Sequence, residues 1–243
     1  MRSPFLGEFM GTLVMILLGD GVVAGVLLKR SKAENSGWLV ITTAWAFAVL
    51  CGIFTALLFG SSAAHLNPAF TVASSLQGGS FNTTSALMIV AQILGAFTGA
   101  VLVFVHYLPH WKETTDPDAK RSVFCTAPAI RNLWMNFISE VIGTAVLVLV
   151  AGAMSSKLVL SQGAAAGLSP YLVSCLVWGV GLSLGGTTGY AINPARDLGP
   201  RLAHAILPIP GKGSSDWSYA LIPILGPLTG GILAGLILRS LGT

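Results

Sequence analysis

Charge is what this chain has least of. Lys, Arg, Asp and Glu together make up 9% of its 243 residues, whereas a soluble domain carries about a quarter. A water-solvated surface around a soluble core is thereby excluded. Cysteine is scarce too: Cys51 and Cys175 lie inside apolar runs and Cys125 in a loop. The three form neither a disulfide framework nor metal-ligand spacing, and the first two read as small core filler. Segments of about ten residues with alternating hydrophobicity are missing, which argues against a membrane β-barrel. The basic residues are scattered over loops, so there is no stripe for nucleic acid. Nothing asks for a cofactor or a metal, and the chain reads as a non-enzyme.

What is abundant is apolar length. Hydrophobic residues are 53% of the chain, in runs of about 20, the length that crosses a bilayer as a helix. Spans are expected at about 5–28, 38–59, 84–107, 134–154, 170–184 and 217–239. The first run lacks a cleavage pattern of small residues after it and reads as a retained span. A polar loop, 109–131, holds the densest charge and joins two halves, about 1–108 and 132–243. Trp38, Trp111, Trp134 and Trp217 fall at expected span ends, as in an interfacial belt. His106, His110 and His204 read as interfacial.

Two further stretches are too short to span. His65-Leu66-Asn67-Pro68-Ala69 and Ala191-Ile192-Asn193-Pro194-Ala195-Arg196 each follow a run rich in small residues. Asn is a strong N-cap, and Pro fits the first helical turn, where its missing N–H costs nothing. Each stretch therefore predicts a loop ending in a half-length helix, a pattern expected where backbone lines a cavity at mid-membrane.

The halves repeat. Phe5–Thr12 matches Phe137–Thr144, Asn67-Pro68-Ala69 matches Asn193-Pro194-Ala195, and Ile93–Gly99 matches Ile224–Gly230. Three spans per half is an odd number, so the halves have opposite orientation, and a functional site is expected where they meet. Gly95 and Gly99, with Gly226 and Gly230, are expected to pack the halves together. Charge bias does not settle which side the termini take.

Glu8 and Glu140 occupy equivalent intramembrane places. Proton relay is one reading. The other is a brace that accepts loop N–H groups, and the symmetry favours it, since each loop needs support. Asp20 has no repeat counterpart, and facing a vestibule is one role open to it. Arg196 opposes the helix dipole in a first turn, which suggests a pore-lining donor that repels cations. Asp197 reads as a dipole or salt-bridge partner. His65 reads as a hydrogen-bonding loop residue.

At these residues the chain resembles the aquaporin family, also called major intrinsic proteins, and its glycerol-facilitator branch in particular. The resemblance covers nearly the whole chain. It implies an all-α membrane fold of six spans and two re-entrant half-helices in an inverted repeat, four subunits each with its own pore, and cytoplasmic termini in the cell membrane. Trp45, Gly181, Tyr190 and Arg196 match the family's selectivity region. Gly181, where water-selective members usually carry His, implies room for a carbon skeleton. Asp197, Arg201, Pro223 and Ile224 also resemble the glycerol branch, whereas Tyr190 departs from the Phe of its best-known members. Carbonyls of Ala63, Ala64, His65, Gly189, Tyr190 and Ala191 are expected to form an acceptor ladder, with the Asn67 and Asn193 amides facing the solute. The expected function is passive conduction of small neutral solutes (glycerol and similar polyols, water, neutral lactic acid) without ions or protons. An ion-coupled transporter, or a water-selective or closed structural member of the same fold, is the alternative.

Overall fold

A computed structural model describes residues 2–165 and 167–242. Its regular structure is helical: α1 (Pro4–Leu27), α2 (Trp38–Phe59), α3 (Pro68–Gln77), α4 (Thr83–His106), α5 (His110–Glu113), α6 (Pro117–Phe124), α7 (Leu133–Ser155), α8 (Leu168–Leu184), α9 (Pro194–Ile206) and α10 (Ile222–Ser240). Among the described residues α1, α2, α4, α7 and α10 are long and apolar enough to cross a membrane, and α8 is a shorter apolar helix. The half-helices α3 and α9 have 10 and 13 residues, about 15 and 20 Å at helical rise, against a hydrocarbon core of about 30 Å.

The caps follow the local chemistry. Side chains of Ser3, Asn82 and Asn132 accept the N–H of Leu6, Ser85 and Met135 at the starts of α1, α4 and α7. α2 ends at Gly60, whose φ of 105° suits a residue without Cβ. A Cβ there would also lie 2.7 Å from the Ser3 nitrogen.

The packing runs the same way in each half. α1 lies against α2 and α4, and α7 against α8 and α10; α3 packs on α10 and α9 on α4. Gly95 and Gly99 do not join the halves. A Cβ on Gly95 would come 2.3 Å from the Phe9 carbonyl oxygen, and one on Gly99 2.6 Å from that of Leu13. The pair thus seats α4 on α1 within the first half. Gly226 and Gly230 seat α10 on α7 in the same way, with a Gly230 Cβ falling 2.4 Å from the Val141 carbonyl oxygen. The close approaches between halves are made instead by Gly199 against Ala96, and by Gly231 and Gly235 against Ala69 and Ala73.

Large apolar side chains such as Phe47, Phe54, Leu58, Val105 and Ile142 cover the outer surface. An outside so apolar, with backbone polar groups paired inside helices, suits hydrocarbon as solvent. The structure corrects several expectations. Cys51 and Cys175 are exposed on this outer surface while Cys125 is buried, because helix faces, not position within an apolar run, decide burial. Trp111 is fully buried. Its Nε1–H donates to the Phe104 carbonyl at 2.9 Å, and its ring stacks on Phe104 and Phe124. The polar loop is therefore not open chain. Asp116 caps α6, with Pro117 at its start, and the segment folds back onto the bundle. His204 is buried too, its Nδ1 2.8 Å from Ser215 Oγ. The last span starts at Ile222, not 217, because Trp217–Leu221 is taken up by successive turns after Asp216, whose φ is 49°.

Candidate functional site

Both half-helices start as local chemistry requires. Asn67 and Asn193 are extended, each with φ −154°. Asn67 Oδ1 accepts the Ala69 N–H at 2.9 Å, and Asn193 Oδ1 accepts those of Ala195 and Arg196 at 3.0 and 3.2 Å. Each amide then reaches across: Asn67 Nδ2 donates to the Ile192 carbonyl and Asn193 Nδ2 to that of Leu66, both at 2.8 Å. The two helix starts are laced to one another's loops. An amide nitrogen carries two hydrogens, so one per Asn remains for other partners.

The loops before them are held from behind. Glu8 accepts from the His65 and Leu66 N–H groups at 2.9 and 2.8 Å, from Ser61 Oγ at 2.6 Å and from Gln92 Nε2 at 2.8 Å. Glu140 accepts from the Ala191 and Ile192 N–H groups at 3.0 and 2.8 Å and from Thr188 Oγ1 at 2.6 Å. In a trans peptide the carbonyl points opposite to the N–H of the next residue. When consecutive N–H groups converge on one carboxylate, the carbonyls of Ala64 and His65, and of Tyr190 and Ala191, are therefore turned to the other side. Such a run needs alternating handedness. Ala64, Leu66, Tyr190 and Ile192 have positive φ, between 38° and 54°. Left-handed backbone costs non-glycine residues about 1–2 kcal/mol each, which the bonds to the buried carboxylates offset.

In front of these carbonyls lies a cavity of about 360 Å³. Asn67 and Asn193 line it, with Trp45, Tyr190 and Arg196 among its other walls. A second cavity of about 280 Å³ shares Ala63, His65, Phe70, Ala151 and Ser155 with it and continues to Ser74 and Gln77. The Arg196 guanidinium lies 4.3 Å over the Trp45 ring and donates Nη1–H to Asp20 Oδ1 at 3.3 Å. Asp20 is fully buried and faces no vestibule.

Gly181 does not leave the opening expected of it. A Cβ there would sit 2.8 Å from Tyr190 Cζ, so the Tyr190 ring already occupies that space. Trp38 meets the ring edge-on, at 5.7 Å, and bonds the Gly181 carbonyl through Nε1. The Tyr190 hydroxyl has no partner among the described residues.

Asp197 and Arg201 lie apart from the cavity lining. Arg201 donates Nε–H to Asp197 Oδ1 at 2.6 Å and Nη2–H to Oδ2 at 2.8 Å, both side chains fully buried. Asp197 also accepts from the Thr126 N–H and hydroxyl, and Arg201 returns a bond to the Thr126 carbonyl. Pro223 and Ile224 stand in the first turn of α10, also off the cavity. At the far end of α9, Lys212 Nζ donates to the His204, Ala205 and Leu207 carbonyls at 2.6–2.7 Å.

Sequence reasoning missed Ser61, Thr71, Gln92 and Thr188. Thr188 lay in the run before the second motif. Gln92, a lone amide inside an apolar run, was visible as an oddity, and it bonds both Glu8 and Thr71. Among the described residues no three His, Cys, Asp or Glu side chains gather as a metal site would require.

The chain matches the major intrinsic protein family over residues 2–238. It is 57% identical to a probable glycerol uptake facilitator protein of Thermotoga maritima, covering 95% of this chain and 96% of that one. It is 41% identical to a D/L-lactic acid transporter of Lactiplantibacillus plantarum, covering 96% and 95%. The X-ray structure of the aquaglyceroporin from Plasmodium falciparum superposes with a TM-score of 0.83 at 26% identity, over 97% of this chain and 94% of that one. With two capped half-helices laced tip to tip beside a cavity, and relatives of this closeness over 95% or more of its length, the chain belongs to the major intrinsic protein family, in its glycerol-facilitator branch.

Proposed function

We infer that this integral membrane protein is a passive channel for glycerol and similar small neutral polyols, with water as a second permeant. One observation carries the reading: a cavity lined by both Asn67 and Asn193, with a second abutting it at Ala63 and His65, runs past the crossed asparagine bonds beside the carbonyls of the two loops. A polyol has a hydroxyl edge and a carbon edge. The carbonyls of Ala63, Ala64 and His65, and of Gly189, Tyr190 and Ala191, accept from the first edge. Trp45 and the Tyr190 ring receive the second, and the free hydrogens of Asn67, Asn193 and Arg196 donate to the same hydroxyls. Each step exchanges one hydrogen bond for another, so no covalent chemistry and no coupling ion is needed. Two helix N-termini and a guanidinium put positive potential at the narrowest part, which repels cations and protons. Glu8 and Glu140 serve as braces and relay no proton, since both are saturated by loop donors.

The repeat of packing relations supports reading residues 1–243 as one channel domain of two inverted halves. As in the family the chain resembles, we expect four such subunits in the cell membrane, each with its own pore and with cytoplasmic termini. Neutral lactic acid is a second permeant reading, favoured by the unpartnered Tyr190 hydroxyl at the constriction and by the relative named for that acid. Stopped-flow light scattering on proteoliposomes tests all three solutes. Glycerol entry well above that of empty vesicles, without proton leak, is expected. Glycerol entry no faster than in empty vesicles, or uptake only with an ion gradient, overturns the reading.

A further inference from the structure

The Arg196 guanidinium is held in an uneven setting. One face rests on Trp45, 4.3 Å from the ring centroid. One nitrogen reaches Asp20 Oδ1, at 3.3 Å. No other hydrogen bond leaves the guanidinium among the described residues, and Arg196 lines the cavity. Its remaining N–H groups therefore face the lumen.

Asp20 is just as uneven. It sits within α1, fully buried, and its second oxygen, Oδ2, has no hydrogen-bond partner. A buried carboxylate is costly unless paired. A structural role would be expected to fill both oxygens, as Glu8 and Glu140 do. The neighbouring Gly19 matters here. A Cβ on it would come 2.4 Å from the Trp45 ring, so the missing side chain lets the indole lie flat on α1 beside the carboxylate. Gly19, Asp20 and Trp45 together make a seat for one guanidinium, built from two helices that do not carry it.

Resting on the channel reading above, we propose that Asp20 is a positioning residue for solute selectivity: it draws the Arg196 guanidinium back against Trp45 and offsets its charge, keeping the lumen wide enough for a three-carbon solute. Without the carboxylate, the guanidinium keeps the Trp45 ring but loses its one hydrogen-bond acceptor among the described residues, with a wet lumen in front of it. Hydration then favours rotation of the side chain into the passage. A guanidinium in the lumen obstructs glycerol more than water, because glycerol must fit its whole carbon skeleton past it.

The test compares water and glycerol permeabilities in proteoliposomes for four proteins: wild type, Asp20→Asn, Arg196→Ala and the double variant. Asp20→Asn is expected to lower the glycerol-to-water ratio about tenfold, equivalent to about 1.4 kcal/mol of added barrier for glycerol alone. In the Arg196→Ala background the same substitution is expected to leave the ratio unchanged, since there is no guanidinium to release. A purely structural role would lower both permeabilities together and leave the ratio alone, and that result overturns the proposal. So does a change of ratio in the Arg196→Ala background, which still decides the matter if Asp20→Asn alone fails to fold. A wild-type protein that conducts no glycerol would fail the channel reading itself, whereas normal wild-type conduction with an unmoved ratio fails only this inference.

Discussion

Asn67 and Asn193 exchange hydrogen bonds with the residues beside one another: Asn67 Nδ2 with the Ile192 carbonyl and Asn193 Nδ2 with that of Leu66, both at 2.8 Å. Each asparagine thus caps its own helix and ties down the other's loop. Asn193→Ala removes a cap that serves two N–H groups and leaves the Leu66 carbonyl without its donor. A loss of about 2–3 kcal/mol is expected, read as a lower unfolding temperature in detergent, with glycerol flux falling alongside. Asn67→Ala should follow the same course. A variant as stable as wild type would mean that the crossing bonds contribute nothing.

Glycines within one helix should differ sharply in tolerance. A Cβ on Gly11 would fall 2.7 Å from the Gly52 carbonyl oxygen, whereas one on Gly21 meets nothing within 4 Å. Gly11→Ala is expected to push α1 off α2 and cut the yield of folded protein severely. Gly21→Ala should be neutral, or stabilising by about 0.5–1 kcal/mol through helix propensity. Comparing folded yield and unfolding temperature for the pair checks the packing directly.

Beside Tyr190, Gly181→Ala places a methyl 2.8 Å from the ring Cζ. The ring must give way, and the cavity it lines is the open direction. Glycerol permeability should drop several-fold, by the order of a 1 kcal/mol barrier, and water permeability less. Unchanged glycerol entry would show that the ring has slack elsewhere.

These sites divide cleanly by how far apart in the chain their parts lie. The half-helices were readable because an Asn cap and a first-turn Pro act within three residues. The glutamates were readable because a carboxylate in an apolar run must be bonded to something. The Asp20–Arg196 pair was not, since nothing local to Asp20 names a partner far along the chain. The Gly95 and Gly226 contacts were misassigned between halves because spacing shows that a close approach exists without showing to which helix. Trp111 looked like an interfacial anchor because its burial depends on Phe124, brought over it by α6. The room expected at Gly181 was absent because an absent side chain is an opening only if no neighbour fills it.

Outside the membrane, Arg131 grips Asp216 with two bonds, Nη1 to Oδ2 at 2.8 Å and Nη2 to Oδ1 at 3.0 Å, and Ser218 adds a third donor. The guanidinium beside it, with the Ser218 hydroxyl, lowers the Asp216 carboxyl to about 2. Its folded value lies below the ordinary one, so its contribution is present above the ordinary carboxylate range and is lost as pH falls towards 2. Asp216→Asn should therefore cost about 0.5–1 kcal/mol at neutral pH, the size of a half-exposed ion pair, and progressively less on acidification. Unfolding temperatures at pH 7 and pH 3 measure the difference. An equal gap at both would assign the effect to something other than charge.

The segment between α4 and α7 has a further consequence. Trp111 is stacked between Phe104 and Phe124, Thr126 is bonded three ways to Asp197 and Arg201, and Lys120 reaches the Pro210 carbonyl. It behaves less as a hinged flap than as a keystone, wedged against the helix that carries Arg196. A swing of this segment would first have to unstack Trp111 and break the bonds of Thr126 to Asp197 and Arg201, so it is expected to stay clasped to the bundle even if the covalent thread within it is cut.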